Sequence, residues 1–333
     1  MGVWAAVSGL PAEGGERVLA MLPESAVPGP VTGESVAVRR APGPITIDGQ
    51  LDEEAWGAGL LVGNLLQYQP RAGQPMTEKT ELRILYDTDN LYLGIRCFDR
   101  EPHRISSRGM ERDGSVLSGD YVYFFFDTFH DRRNGYAFAV SPDEGRWDAL
   151  VSNSFTVNKN WDGIWDVRCS IDEQGWVAEV RIPFKTVSFD PKSGTWGFNF
   201  SRWIARKAEG GRWADPRPEV NTWYGGNAGV ITGLEGISRG LGIEFSPYAL
   251  GRYRYQRFSR DPLFGTDIER RKDTYKADAG FDLRYRVTPS LNAIFSHNMD
   301  FAETEVDQRQ INFTRFPLFF PEKRDFFLED SGI

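Results

Sequence analysis

Along most of the chain apolar and polar residues alternate with the period of a strand, not a helix. The exception is Asp120-Tyr-Val-Tyr-Phe-Phe-Phe-Asp127, where six apolar or aromatic residues run unbroken between two aspartates. So short a run, so rich in Phe and Tyr, predicts a strand buried on both faces. Tyr121, Tyr123 and Phe125 point to one side, and Val122, Phe124 and Phe126 to the other. A strand with two dry faces belongs inside a sandwich or under covering loops. Its aspartates stand where the strand leaves the core. Strand ends collect binding residues, which makes Asp120 a candidate.

The flanking pattern fits the same architecture. Residues 1–35, rich in Pro, Gly, Ala and Glu, predict a disordered leader or the remnant of a signal peptide. Residues 36–234 read as one all-β domain, a β-sandwich. Ile45–Gly49 predicts a short strand, and Leu51–Trp56 a helical turn. Glu81–Tyr86 and Leu91–Phe98 predict a hairpin around Asp87–Asn90. Tyr136–Val140, Trp147–Val151, Gly175–Pro183 and Gly194–Trp203 continue the series without a long helical pattern.

The last third, residues 240–333, changes character. Gly242–Tyr255, Lys276–Arg286 and Leu291–Met299 are long alternating strands, the last two joined by the tight turn 287–290. Strands of this length, polar on one face and aromatic on the other, suit the antiparallel strands of a transmembrane β-barrel. About 94 residues follow Arg239, fewer than eight strands of ~9–11 residues with their turns require. The expectation is therefore an incomplete barrel, the N-terminal part of a longer one.

Composition narrows the function classes. At 333 residues there is room for two cores, and a net charge of −8 argues against a nucleic-acid partner. Cys97 and Cys169 are the only cysteines; they match no metal spacing, which leaves a single disulfide open. Three scattered histidines leave little for a zinc or His-based catalytic site. No G-x-S-x-G, H-E-x-x-H or phosphate loop occurs.

Ile45–Trp56, the hairpin Leu85–Leu93, the strand Asp120–Asp127 and Gly175–Phe184, in this order and spacing, resemble the family 9 carbohydrate-binding modules. A second stretch, Gln310–Glu329 with Arg-Phe-Pro-Leu-Phe-Phe-Pro-Glu-Lys-Arg-Asp-Phe-Phe-Leu-Glu, resembles a family of bacterial proteins in which such a module precedes an outer-membrane barrel. The first resemblance implies a sandwich that clamps the end of a sugar chain between two tryptophans, with polysaccharide or oligosaccharide as partner. The second implies the outer membrane as location. Of four sugar-contacting positions carried over, three hold Leu117, Tyr123 and Ala139, and only Trp223 matches. Carbohydrate-binding candidates are therefore Trp223, Trp161, Trp165, Asp120 and Asn160, with Trp213 as a further ring and Asn158, Asp162 and Asp166 as polar partners. Modules of this fold often hold calcium near the first turn, where Asp48, Asp52 and Glu53 are candidate ligands beside Glu54. Helix-start acidity explains the same residues.

A non-catalytic carbohydrate-binding module attached to a barrel is the leading reading. A glycoside hydrolase is the alternative, since Asp120, Asp127, Asp143, Glu144, Asp162 and Asp166 offer carboxylate pairs. A structural or transport protein of the outer membrane without sugar binding is the third.

Overall fold

The structure, a computed structural model, describes residues 3–5, 20–22, 35–107, 116–159, 161–238, 240, 243–258, 270–288 and 291–298. Near the start, Val3–Ala5 (β1) pairs antiparallel with Ala20–Leu22 (β2), two short strands that composition did not predict. The chain divides between residues 240 and 241 into two compact units. Among the described residues the only helical elements are short 3-10 turns.

The first unit is a β-sandwich. Its larger sheet takes Ser35–Ala37 (β3), Leu66–Gln69 (β6), Tyr121–Asp127 (β9), Gly135–Val140 (β10), Arg146–Ser152 (β11), Thr156–Asn158 (β12), Thr195–Ile204 (β15), Glu209–Arg212 (β16) and Gly229–Thr232 (β17). The strand order is β12-β11-β10-β9-β15-β16-β6, with β17 between β15 and β3. The smaller sheet takes Arg39–Arg40 (β4), Leu61–Val62 (β5), Thr80–Tyr86 (β7), Asn90–Phe98 (β8), Asp166–Asp172 (β13) and Gly175–Pro183 (β14), in the order β13-β14-β8-β7-β4 with β5 on β7.

The core follows from the period of two. Val122, Phe124 and Phe126 of β9 face Leu82, Ile84, Leu93 and Ile95 of the other sheet in one continuous apolar cluster. Phe124 stacks on Phe138 at 5.5 Å between ring centroids, and Phe126 packs edge-on against Trp196 at 6.1 Å. At its mouth Arg202, buried between the sheets, donates to the carbonyls of Lys79 (3.0 Å) and Phe98 (2.9 Å) and so ties the two sheets together.

Ile45–Gly49 is not a strand. Asp48 and Gly49 donate their N–H groups to the Glu179 carboxylate at 2.9 and 2.8 Å, so a side chain takes the place of a ladder partner. The Trp56 indole N–H reaches the same carboxylate at 3.0 Å. Gly94 makes room for this packing: a Cβ there would stand 2.8 Å from the Trp56 ring. The motif-bearing segment 45–58 thereby caps the outer side of the smaller sheet.

The second unit is a three-stranded antiparallel sheet of Ile243–Phe258 (β18), Arg270–Thr288 (β19) and Leu291–His297 (β20), in that order. No closed barrel forms among the described residues. Register sets its faces: Phe245 pairs with Leu283 and that with Phe295, while Tyr253 pairs with Tyr275. Directly opposed residues share a face. One face thus carries Ile243, Phe245, Tyr285 and Phe295 toward one end, Pro247 with Phe281 opposite it, then Ala249, Ala277 and Ala279, in the middle, and Tyr253, Tyr255 and Tyr275 with Asp273 toward the other. The apolar and aromatic end residues are exposed, from 47% at Tyr285 to 76% at Tyr275. The opposite face carries Arg252, Lys276, Asp278 and Asp282.

The motif 310–329 lies outside the described residues.

Candidate functional site

The outer face of the larger sheet, turned away from the core, holds Tyr123 and Ala139, with Trp223 and the turn bearing Leu117 beside them, the four positions that the resemblance sets against a sugar clamp. Tyr123 points outward from β9, and Ala139 of β10 is directly opposite it in register. Trp223, on the loop before β17, lies against Tyr123 at 5.7 Å; Trp147 of β11 lies against the other flank at the same distance. Leu117 sits on the short turn Val116–Ser118, whose Val116 is buried against this cluster. The positions converge, but the space between them is filled. Tyr123 is 3% exposed, its hydroxyl has no partner among the described residues, and burial pushes its phenol well above the ordinary range. Ala139 offers no charge to a sugar hydroxyl.

Farther along the same face the rings are only half buried. Tyr121 of β9 and Trp203 of β15 are directly opposed, with centroids 6.5 Å apart and planes within 22°. Trp203 is in turn opposite Gly210 of β16, and the Tyr68 ring of β6 lies over that glycine. A Cβ at Gly210 would meet the Tyr68 ring at 2.2 Å, so glycine is what admits the ring. Arg212 rests on Tyr68 at 4.7 Å from guanidinium to ring centroid and donates to Thr222 Oγ1 (3.2 Å) and the Asp215 carbonyl (2.9 Å). The parity of Thr195–Ile204 separates Trp203 from the inward Phe198 and Phe200, which is the signal that would have flagged it; the loss of a side chain at Gly210 gave none.

Several expected sugar-binding residues are core. Trp161 and Trp165 pack edge-on against Phe138, at 5.9 and 5.4 Å, and the Trp165 indole N–H donates to Asp148 at 2.6 Å. Trp213 packs on Phe198 at 5.5 Å. Rings so engaged have no face left for a sugar. Asn160 lies outside the described residues. Asp120 is buried: one carboxylate oxygen accepts the Ala205 N–H at 2.7 Å, pinning the end of β15, and the other has no partner among the described residues. It is an anchor of the fold, not an exposed ligand contact.

Other candidate carboxylates are engaged as well, Asp143 by the Ser141 hydroxyl. Asp127 accepts the N–H groups of Asp131 (3.1 Å) and Arg132 (2.7 Å). Glu144 accepts the Cys169 N–H at 3.2 Å, and Asp166 pairs with Arg181. Cys97 and Cys169 are free thiols; they lie on β8 and β13, with β14 between them.

The residues proposed for calcium do not fit a cation. Asp48 accepts the Gln50 N–H at 3.0 Å, and the two Glu53 oxygens accept from Thr46 N–H (2.8 Å) and the Trp56 indole (3.1 Å). Among the described residues no three acidic, His or Cys side chains converge as ligands. Asp48 closes a local turn onto Gln50, and Glu53 ties the approach of the 3-10 turn Glu54–Ala58 to the Thr46 backbone and the Trp56 ring.

A cavity of about 510 Å³ opens beside β7 and β8, lined in part by Leu65, Met76, Phe98, Glu78 and Asp99. Its carboxylates are taken. Arg206 grips Asp99 through two bonds of 2.6 and 2.7 Å, and Lys207 pairs with Glu78. Burial alone would raise the Asp99 pKa, but the Arg206 bonds, the Glu101 N–H and the charges of Arg206 and Arg202 together hold it below the ordinary carboxylate value.

The geometry defines an all-β sandwich with an aromatic outer face. No family profile matches the chain, and no curated protein matches its sequence. Solved structures do resemble it. One is a protein from Bacteroides uniformis ATCC 8492 to which carbohydrate binding is ascribed, at 12% identity, covering 60% of this chain and 99% of that one, with a TM-score of 0.50. Two others are a family 9 carbohydrate-binding module from Caldicellulosiruptor kristjanssonii, in complex with cellotriose (19% identity, 62% and 95% coverage, TM-score 0.46) and with glucose (17%, 60% and 95%, 0.45). At these identities the likeness is one of fold.

Proposed function

We propose that residues 36–234 form a non-catalytic module that recognises polysaccharide or oligosaccharide, and that residues 240–333 begin a β-barrel holding it at a bacterial outer membrane. The observation that carries the sugar reading is the half-buried aromatic face on the outer side of the larger sheet. Sugar rings present flat C–H faces that stack on such side chains, while their hydroxyls take hydrogen bonds at the edge. The family 9 resemblance in the sequence and the shared sandwich fold support the same reading. A glycosidase needs a pair of carboxylates across a cleft, whereas Asp120, Asp127, Asp143, Glu144 and Asp166 are engaged by backbone N–H groups, a hydroxyl or an arginine.

The membrane reading rests on the second unit. Its aromatic and apolar face is exposed, its other face carries charge, and rings at both ends flank a stretch that holds Ala249, Ala277 and Ala279, with Asp273 beside Tyr255 at the far end. An apolar band between aromatic girdles is the lipid-facing side of an outer-membrane strand pair. From Phe245 to Tyr253 is eight residues, about 27 Å of strand and about 20 Å of membrane depth at the usual tilt.

Affinity electrophoresis of the whole chain in detergent, through gels containing xylan, mixed-linkage β-glucan or hydroxyethylcellulose, tests the first part. Retardation by at least one is expected; migration unchanged in all three refutes sugar recognition. Flotation with phospholipid vesicles tests the second, and failure to float refutes it.

A further inference from the structure

Resting on the sugar-binding reading, we propose that the ligand is an extended, uncharged polysaccharide chain bound along its flank, on a row formed by Tyr121, Trp203 and Tyr68, and not by its end at the clamp beside Trp223.

Two observations lead there. The first is closure of the clamp. Tyr123 occupies the middle of it, wedged between Trp147 and Trp223, and Ala139 replaces a charged partner. A chain end inserted there would have to displace a fully buried phenol ring. The second is the alignment of the other rings. Tyr121, Trp203 and Gly210 are successive cross-strand partners, and Tyr68 covers Gly210. From β9 through β15 and β16 to β6 is three interstrand steps, roughly 14 Å. That length holds more than one sugar ring side by side on the surface of the sheet.

The chemistry fits a neutral ligand. Arg212, the cation against this row, is buried and already bonded to Thr222 and the Asp215 carbonyl, so it braces Tyr68 and leaves no open anion site. The Tyr68 and Tyr121 phenols are neutral hydroxyl donors at physiological pH. The indole N–H of Trp203 adds a third donor. Neutral donors on flat rings suit the hydroxyl-edged face of a pyranose.

Calorimetry on the whole chain in detergent, with xylohexaose, cellohexaose and their borohydride-reduced forms, tests this. The expected result is that at least one hexaose binds, that its reduced form binds within twofold, and that Trp203→Ala weakens binding about tenfold, the scale of one lost stacking contact. Trp203→Phe keeps a ring and is expected to recover most of the affinity, which separates stacking from damage to the fold. Two results overturn the flank site while leaving sugar recognition intact: loss of binding on reduction of the chain end, or loss in Trp223→Ala with Trp203→Ala unaffected. Absence of binding to either hexaose and to all three gel polysaccharides overturns the sugar reading itself, and this site with it.

Discussion

The sandwich and the long three-stranded sheet are written in the same period-two pattern, yet they treat their apolar faces oppositely. In the sandwich the alternation ends in burial: Phe124, Phe126 and Phe138 have almost no exposed surface. In the long sheet Phe245 and Phe295 occupy equivalent alternating positions and are more than half exposed. Alternation therefore specifies a face; it does not say what covers it. In the sandwich a second sheet does so. For the long sheet the proposed cover is lipid, which explains why small residues sit in the middle of the band and aromatic residues at its ends.

The largest expected effect lies inside the sandwich. Phe124→Ala removes a ring stacked on Phe138 and edge-on to Trp165, and is expected to cost about 3–5 kcal/mol in urea unfolding. Phe245→Ala should leave that unfolding transition unmoved. If the two variants shift it alike, the division into separate units is wrong. Next comes the lipid face. Ala249→Arg puts a charge at mid-band and is expected to cost roughly 2–4 kcal/mol of insertion into vesicles. Leu250→Arg, one residue along and on the charged face beside Asp278, should cost far less. Equal losses for these neighbours would remove the argument for a lipid-facing side.

The sandwich was legible because its strands carry strong local signals. Gly175–Pro183 falls as expected, and the Asp120–Asp127 run is a strand from Tyr121 to Asp127. The site was legible only in part. Trp161-Asp-Gly-Ile-Trp-Asp-Val167 mixes rings with polar residues, as a binding loop does. In the structure Trp161, Gly163, Trp165 and Val167 are buried while Asp162, Ile164 and Asp166 are exposed. Strict alternation outweighed local polarity, and the same parity rule used on β9 would have turned both tryptophans inward. The row at Trp203 was hidden for another reason: it depends on registers among four strands, which residue spacing does not encode. Asp120 was misjudged because a strand-end carboxylate looks the same in sequence whether it meets solvent or a buried backbone N–H.

A smaller effect concerns how the smaller sheet is capped. Glu179 accepts three N–H groups, from Asp48, Gly49 and Trp56. Glu179→Ala leaves them without that acceptor and is expected to cost about 1–3 kcal/mol. The loss should show first as faster proteolysis within residues 45–58, and an unchanged cleavage rate there would mean the segment is held by apolar packing alone.

The smallest effect is a slope. Burial raises the Asp120 pKa, and the Ala205 N–H with the nearby Arg202 and Arg206 offsets this only in part. A raised carboxylate favours the fold when protonated. Its contribution is complete below the ordinary Asp value, about 3.9, and is lost as pH rises through the higher folded value. Asp99 has the opposite sign: burial is the largest single influence and raises it, but the Arg206 bonds, the Glu101 N–H and the charges of Arg206 and Arg202 together outweigh burial. Its contribution is complete above the ordinary value and is lost as pH falls through the lowered one. Asp120→Asn keeps an oxygen for Ala205 and removes the buried charge. Urea midpoints measured from about pH 3 to pH 8 should then fall less steeply on the higher-pH side than in the wild type, while the acid side set by Asp99 keeps its slope. Some decline persists, since Asp127 and Glu179 are also raised by burial. Parallel curves for variant and wild type would mean that the strand's first aspartate carries no electrostatic penalty, and that its role is confined to holding Ala205.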